Sequence, residues 1–118
     1  MKKIFLVVCL FNFLSCRPSQ KLQNNPENVP DCVKKLIRDF STAEKTNPPR
    51  AVYRYQYQGN VVYFVPAPCC DFFSDLYDDN CNLLGHPDGG ITGRGDGRVA
   101  DFFEKRMNEQ IIWMDTRK

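Results

Sequence analysis

The segment from Ala51 to Pro66 limits what this chain can fold into more than any other. Two runs, Ala51-Val52-Tyr53-Arg54-Tyr55-Gln56-Tyr57-Gln58 and Val61-Val62-Tyr63-Phe64-Val65-Pro66, flank Gly59-Asn60. Alternation marks a strand with one buried face, and a glycine-containing dipeptide between two such runs closes a two-residue hairpin. With the turn at Gly59-Asn60, Tyr57 faces Val62, Tyr55 faces Phe64 and Tyr53 faces Pro66, all on one side, while Arg54 and Gln56 take the other. A row of aromatics can stack sugars, but aromatic–aliphatic pairs are ordinary sheet packing and this row reads as core.

A hairpin at 51–66 needs partners to cover it. Before it, Val33, Leu36, Ile37 and Phe40 recur at i, i+3, i+4 and i+7, which predicts a helix over about 30–43 that starts at Pro30 and stops before Asn47-Pro48-Pro49. After it, Leu76-Tyr77 and Leu83-Leu84 around Asp78-Asp79-Asn80 predict a second hairpin at 75–85, preceded by a short helical turn near Cys70–Ser74. Val99, Phe102, Phe103 and Met107 predict a second helix over 99–108, and Ile111-Ile112-Trp113-Met114 a closing strand at 110–114. That strand is apolar on both faces and is expected inside the sheet. The fold class is α+β: an antiparallel sheet with helices on one face.

The N-terminus reads as an export signal. Met1-Lys2-Lys3 precedes an apolar run from Ile4 to Leu14, too short to span a membrane, which needs roughly 20 residues. Phe13-Leu14-Ser15-Cys16 is similar to the lipobox of bacterial lipoproteins, in which the cysteine is acylated and becomes the first mature residue. The expected organisation is a signal peptide at 1–15, a polar tether at 16–28 with lipid on Cys16, and one domain at 29–118. The location that follows is the bacterial cell envelope, with the N-terminal lipid in a membrane. Losing Lys2 and Lys3 lowers the basic residues from 16 to 14, equal to the 14 acidic ones. A neutral mature chain offers no basic surplus for nucleic acid.

Cysteine usage fits an oxidising compartment. Cys32, Cys69, Cys70 and Cys81 remain after the signal and the lipid site, enough for two disulfides. Neighbouring residues are about 3.8 Å apart at Cα, below the usual span of about 4.4–6.8 Å. The expectation is therefore Cys32 with Cys69 and Cys70 with Cys81, or Cys32 with Cys70 and Cys69 with Cys81. Zinc is disfavoured because no C-x₂-C pair is present and His86 is the only histidine.

Residues 85–98 hold six of the seven glycines, and a loop this long in a small domain is usually functional or disordered. Its candidate binding residues are His86, Asp88, Arg94, Asp96 and Arg98. Arg94-Gly95-Asp96 matches the integrin-binding tripeptide, three common residues that coincide often by chance. Gly93-x-Gly95-x-Gly97 lacks the strand and the lysine of a phosphate loop, and Asp88, Asp96 and Asp101 do not have EF-hand spacing. No metal or cofactor is expected. His86 has no nucleophile beside it, Asp78 and Asp79 read as turn residues, and Cys69-Cys70 lacks redox C-x-x-C spacing.

The segments Val52-Tyr53-Arg54-Tyr55, Ala67-Pro68-Cys69-Cys70-Asp71, Leu76-Tyr77-Asp78, Pro87-Asp88-Gly89-Gly90-Ile91-Thr92-Gly93 and Gly95-Asp96-Gly97 together resemble a family of uncharacterised bacterial envelope lipoproteins, a domain of unknown function. The resemblance implies export and a binding role without naming a ligand. It also implies that relatives carry cysteines where this chain has Gly85 and Val99, so a disulfide pinning the glycine loop would be missing here. The function expected is a membrane-anchored, non-enzymatic domain that binds a protein or envelope ligand through the glycine loop. The alternative is an envelope enzyme or enzyme inhibitor with the hairpin surface as its active face.

Overall fold

The computed structural model describes residues 28–118. The expected signal peptide, the expected lipid site Cys16 and the expected tether as far as residue 27 lie outside the described residues. The element order is α1 (Asp31–Thr42), β1 (Ala51–Tyr57), β2 (Asn60–Val65), β3 (Asp75–Asp78), β4 (Leu83–Gly85), α2 (Phe102–Lys105) and β5 (Met107–Met114). The five strands form one sheet in the order β4-β3-β2-β1-β5 with every neighbour antiparallel, an α+β fold.

The predicted first helix forms within a residue of both expected ends. Val33 is buried, and Leu36, Ile37 and Phe40 pack behind it against Val52, Tyr63 and Val65 of the sheet. The Pro30 carbonyl accepts the amides of Val33 and Lys34, starting the ladder at a residue with no N–H to lose.

The first hairpin forms with its turn one residue earlier than expected. Gln58 and Gly59 both take positive φ, 51° and 77°, the backbone of the turn that matches strand twist. Tyr57 therefore faces Asn60, Tyr55 faces Val62 and Tyr53 faces Phe64. Moving a two-residue turn by one position shifts partners by two, and the side-chain period is also two. The face assignment consequently survives: Tyr55, Tyr57, Val62 and Phe64 share one core cluster, and Val52, Tyr63 and Val65 the other.

The second hairpin forms as expected around Asp78. Its carboxylate accepts the amides of Asn80 and Asn82 at 2.9 and 2.8 Å, and the bond from Asn82 holds the group below its ordinary pKa. The expected helical turn at 70–74 is instead a single non-helical turn in which the Phe72 amide reaches the Cys69 carbonyl.

Three expectations about the C-terminal third are corrected. The second helix is four residues long, because only Val99 and Phe102 of its stripe are buried while Phe103 and Met107 are exposed. The free edge of β1 captures residues 107–110 as strand instead. The closing strand lies at the sheet edge, not inside it. Its two-sided apolar pattern comes from a bulge: Val52 faces Trp113 and Tyr53 faces Ile111, so Ile112 is the extra residue. Ile112 and Trp113 then both pack on the α1 side. Finally, the helices cover opposite faces. Phe102 and Val99 seal the side of Tyr55, Tyr57 and Phe64, and α1 seals the other.

The disulfides also differ from both expected schemes. Cys32 bonds Cys81 and Cys69 bonds Cys70. The second hairpin brings Cys81 to the first turn of α1, with a Cα separation of 5.8 Å. Strand β3 separates Cys81 from the 69–70 pair, which lies at the opposite end of the sheet and is left with itself, 3.7 Å apart at Cα.

Candidate functional site

Two long connections leave the same end of the sheet: residues 66–74 between β2 and β3, and the glycine loop from His86 onward. The pairing of Leu76 with Gly85 places their neighbours Asp75 and His86 side by side. His86 Nδ1 lies 2.9 Å from Asp75 Oδ1 and 3.0 Å from the Ser74 carbonyl, and the Phe73 ring stacks on the imidazole at 4.8 Å.

The glycine loop is fastened to this platform by its backbone. Ser74 N–H donates to the Asp88 carbonyl, Gly90 N–H to the Asp71 carbonyl, Gly95 N–H to the Gly89 carbonyl and Asp96 N–H to the His86 carbonyl. Two glycines are required for this closeness. A Cβ on Gly89 would sit 2.2 Å from the Phe72 carbonyl oxygen, and one on Gly95 would sit 1.9 Å from that of His86. The loop is thus a layered, hydrogen-bonded unit.

The sequence-predicted loop residues divide into two groups. His86 and Asp88 face the platform, where Asp88 helps line an open groove of about 380 Å³ with Pro48, Pro68, the Cys69–Cys70 pair and Phe72. Arg94, Asp96 and Arg98 are exposed, and Asp96 Oδ1 accepts the Arg98 amide at 3.0 Å. Phe72, Phe73 and Asp75 were not singled out by the sequence. Phe72-Phe73 between two turn signals was the available clue, since a connecting segment runs over the surface and two large aromatics there are candidates for contact with a partner. Both are exposed, Phe72 by 65 %, and Ile91 nearby in the loop by 98 %.

The aromatic face of the first hairpin is closed. Tyr55 and Tyr57 are buried beneath Phe102. The Tyr57 hydroxyl donates to Asp101, and burial, helped by that carboxylate, pushes its pKa up to about 12. Tyr55 donates to Glu109 and accepts from Arg106 at 3.0 Å, and burial raises its pKa further. The row is core and offers no open platform for sugar. A second concavity, about 460 Å³, lies at the opposite end between the hairpin tips, lined by Asn60, Asp78 and Asp79 among others. Among the described residues no group of three or more His, Cys, Asp or Glu side chains gathers to hold a metal.

These features define a small α+β domain with a bridged helix–hairpin corner at one end and a glycine-loop platform at the other. The chain belongs to the family described as a domain of unknown function (DUF6970), whose model matches residues 38–115. That span runs from the second half of α1 through β5 and includes the whole platform. No curated protein and no solved structure matches the chain.

Proposed function

We propose that this is a lipid-anchored envelope protein, held at Cys16, that offers its glycine-loop end to a protein or other envelope ligand. The observation that carries the reading is the opposition of two ends. The described chain enters at the start of α1, which Cys32–Cys81 ties to the β3–β4 turn, whereas the glycine loop leaves the other end of β4. A chain arriving from lipid on Cys16 joins the domain at the hairpin tips, and the groove, Phe72, Ile91 and Arg94 then point away from the bilayer. Exposed apolar side chains beside charged ones on a backbone already ordered suit a protein ligand, because little entropy is lost on binding. Equal numbers of acidic and basic residues after residue 15 argue against nucleic acid.

Two experiments test the two halves. Metabolic palmitate label should enter the wild-type chain and vanish in Cys16→Ser, and label that persists would sink the anchor. A photo-crosslinking side chain at Ile91 should give a discrete adduct in living cells that the same probe at Asn80 does not. Equal adducts from both positions, or adducts from Asn80 alone, would sink the binding face.

A further inference from the structure

The two disulfides of this domain stand in opposite physical situations. Cys32–Cys81 spans 49 residues and is half-buried at the corner of α1 and the second hairpin. Cys69–Cys70 spans one residue and both its cysteines are exposed. A crosslink stabilises a fold chiefly by confining the unfolded chain, and the effect grows with the loop closed. A bond between neighbours closes no loop, so fold stability gives no account of it. Its position does. The pair lies in the turn whose next residue, Asp71, holds the Gly90 amide, and whose Phe72 carbonyl is the surface on which Gly89 rests. Cys70 is left-handed, φ 65°, a backbone uncommon for a residue with a Cβ. Cys81 of the other bond shares it, at 68°, so what sets the 69–70 pair apart is its exposure and its place under the glycine loop.

We propose that Cys69–Cys70 is a thiol-exchange site whose redox state fixes or frees the glycine loop. The co-reactant is a dithiol, either a small molecule or a C-x-x-C oxidoreductase. One of its thiolates attacks an exposed sulfur of the pair, the Cys69–Cys70 bond breaks, and the released cysteine takes up a proton. The second thiol of the reductant then attacks the mixed disulfide and frees the other cysteine. Two electrons pass to the cystine, two cysteine thiols result, and the reductant leaves as its disulfide. With the bond open, Cys70 regains the right-handed and extended conformations that most residues favour. The chain direction at Asp71 and Phe72 is then no longer set, and the Gly90 and Gly89 contacts depend on that direction. Oxidised, the loop is clamped; reduced, it is released while the sheet and α1 stay bridged through Cys32–Cys81. The inference does not rest on the binding reading, because its readouts are thiol labelling and amide exchange.

The test uses the full chain purified from cells. Limiting dithiothreitol followed by alkylation and peptide mapping should label Cys69 and Cys70 while Cys32–Cys81 stays intact. In that state the Gly90 and Gly95 amides should exchange at least tenfold faster, with Val62 and Phe64 unchanged, and reoxidation should restore protection. The double variant Cys69→Ala/Cys70→Ala should show the same fast exchange without reductant. Reduction of Cys32–Cys81 first or simultaneously would overturn the proposal. So would selective reduction that leaves Gly90 exchange unaltered.

Discussion

Cys32, in the first turn of α1, is bonded to Cys81 in the turn of the second hairpin, and this is the one disulfide that ties the helix to the sheet among the described residues. Closing a loop of this length is worth about 4 kcal/mol in the chain-entropy account. Cys32→Ala/Cys81→Ala is therefore expected to lose roughly 3–4 kcal/mol of unfolding free energy in urea. Cys69→Ala/Cys70→Ala should lose less than about 1 kcal/mol, since it opens no loop. Equal losses would remove the distinction between the two bonds.

The glycine loop gives a paired test of close approach against backbone conformation. Gly93 and Gly95 have nearly the same φ, 72° and 71°, but a Cβ on Gly93 meets open space and one on Gly95 meets the His86 carbonyl at 1.9 Å. Gly93→Ala should cost roughly 1–2 kcal/mol, the left-handed penalty alone. Gly95→Ala should cost at least about 1 kcal/mol more through overpacking and should raise amide exchange at Asp96, whose N–H binds the same carbonyl. Matching costs would show that the loop does not rest on His86 in solution.

The Gln58-Gly59 turn is open to improvement. Both positions are left-handed, where asparagine is tolerated far better than glutamine. Gln58→Asn should stabilise the domain by about 0.5–1 kcal/mol, read as a higher urea midpoint with an unchanged slope. A loss of stability would mean that the 3.3 Å bond from Gln58 Nε2 to the Tyr57 hydroxyl outweighs the backbone preference.

That displaced turn shows what was legible in the sequence. Alternation in 51–66 identified the faces, and faces survive a two-residue slip, so the core was readable while the register was not. Val33, Leu36, Ile37 and Phe40 located α1 because helical spacing and a proline start agreed. The C-terminal third misled for a different reason. Phe102-Phe103 and Ile112-Trp113 are adjacent apolar pairs, and only tertiary structure decides between a helix stripe, a two-faced strand and a bulge. The platform was half legible: six glycines located the loop, but Asp75 and Phe73 reach His86 only through the β3–β4 register. The cysteine pairing was not legible because it turns on how α1 packs across the sheet, which brings Cys32 to the tip of the second hairpin.

Gly85 and Val99 make a designable clamp. An ideal Cβ on Gly85 lies 3.1 Å from Val99 Cγ2, near the span of about 3 Å from a cystine Cβ to the far sulfur that bond geometry sets. Gly85→Cys/Val99→Cys should form a third disulfide, detectable by peptide mapping. Closing a loop of about 15 residues should add up to roughly 3 kcal/mol, less the strain at the φ of position 85. Two free thiols in the oxidised protein would place these residues further apart than described.

The last prediction concerns Asp115, at the end of β5, one of the few buried polar side chains among the described residues. Its amide donates to the Arg50 carbonyl and its carboxylate accepts from Arg117, whose other contact is the carbonyl of Phe40 near the end of α1. The C-terminus is thereby fastened to the helix through one charge-assisted hinge. Hydrogen bonds from Arg117 hold the Asp115 pKa down at about 2, below its ordinary value of 3.8. A carboxyl group depressed in the folded state stabilises the fold at pH above its unfolded pKa, and that stabilisation fades as pH falls through the folded value. Asp115→Asn should therefore lower Tm by several degrees at pH 7, with the gap from wild type constant down to about pH 5 and narrowing between about pH 4 and 2. Arg117→Gln should reproduce the effect at pH 7, because it removes the donor that depresses the carboxyl. Thermal melts of the three proteins across this range decide the matter, and a gap that stays constant down to pH 2 would show that ionisation of Asp115 is not what stabilises the fold.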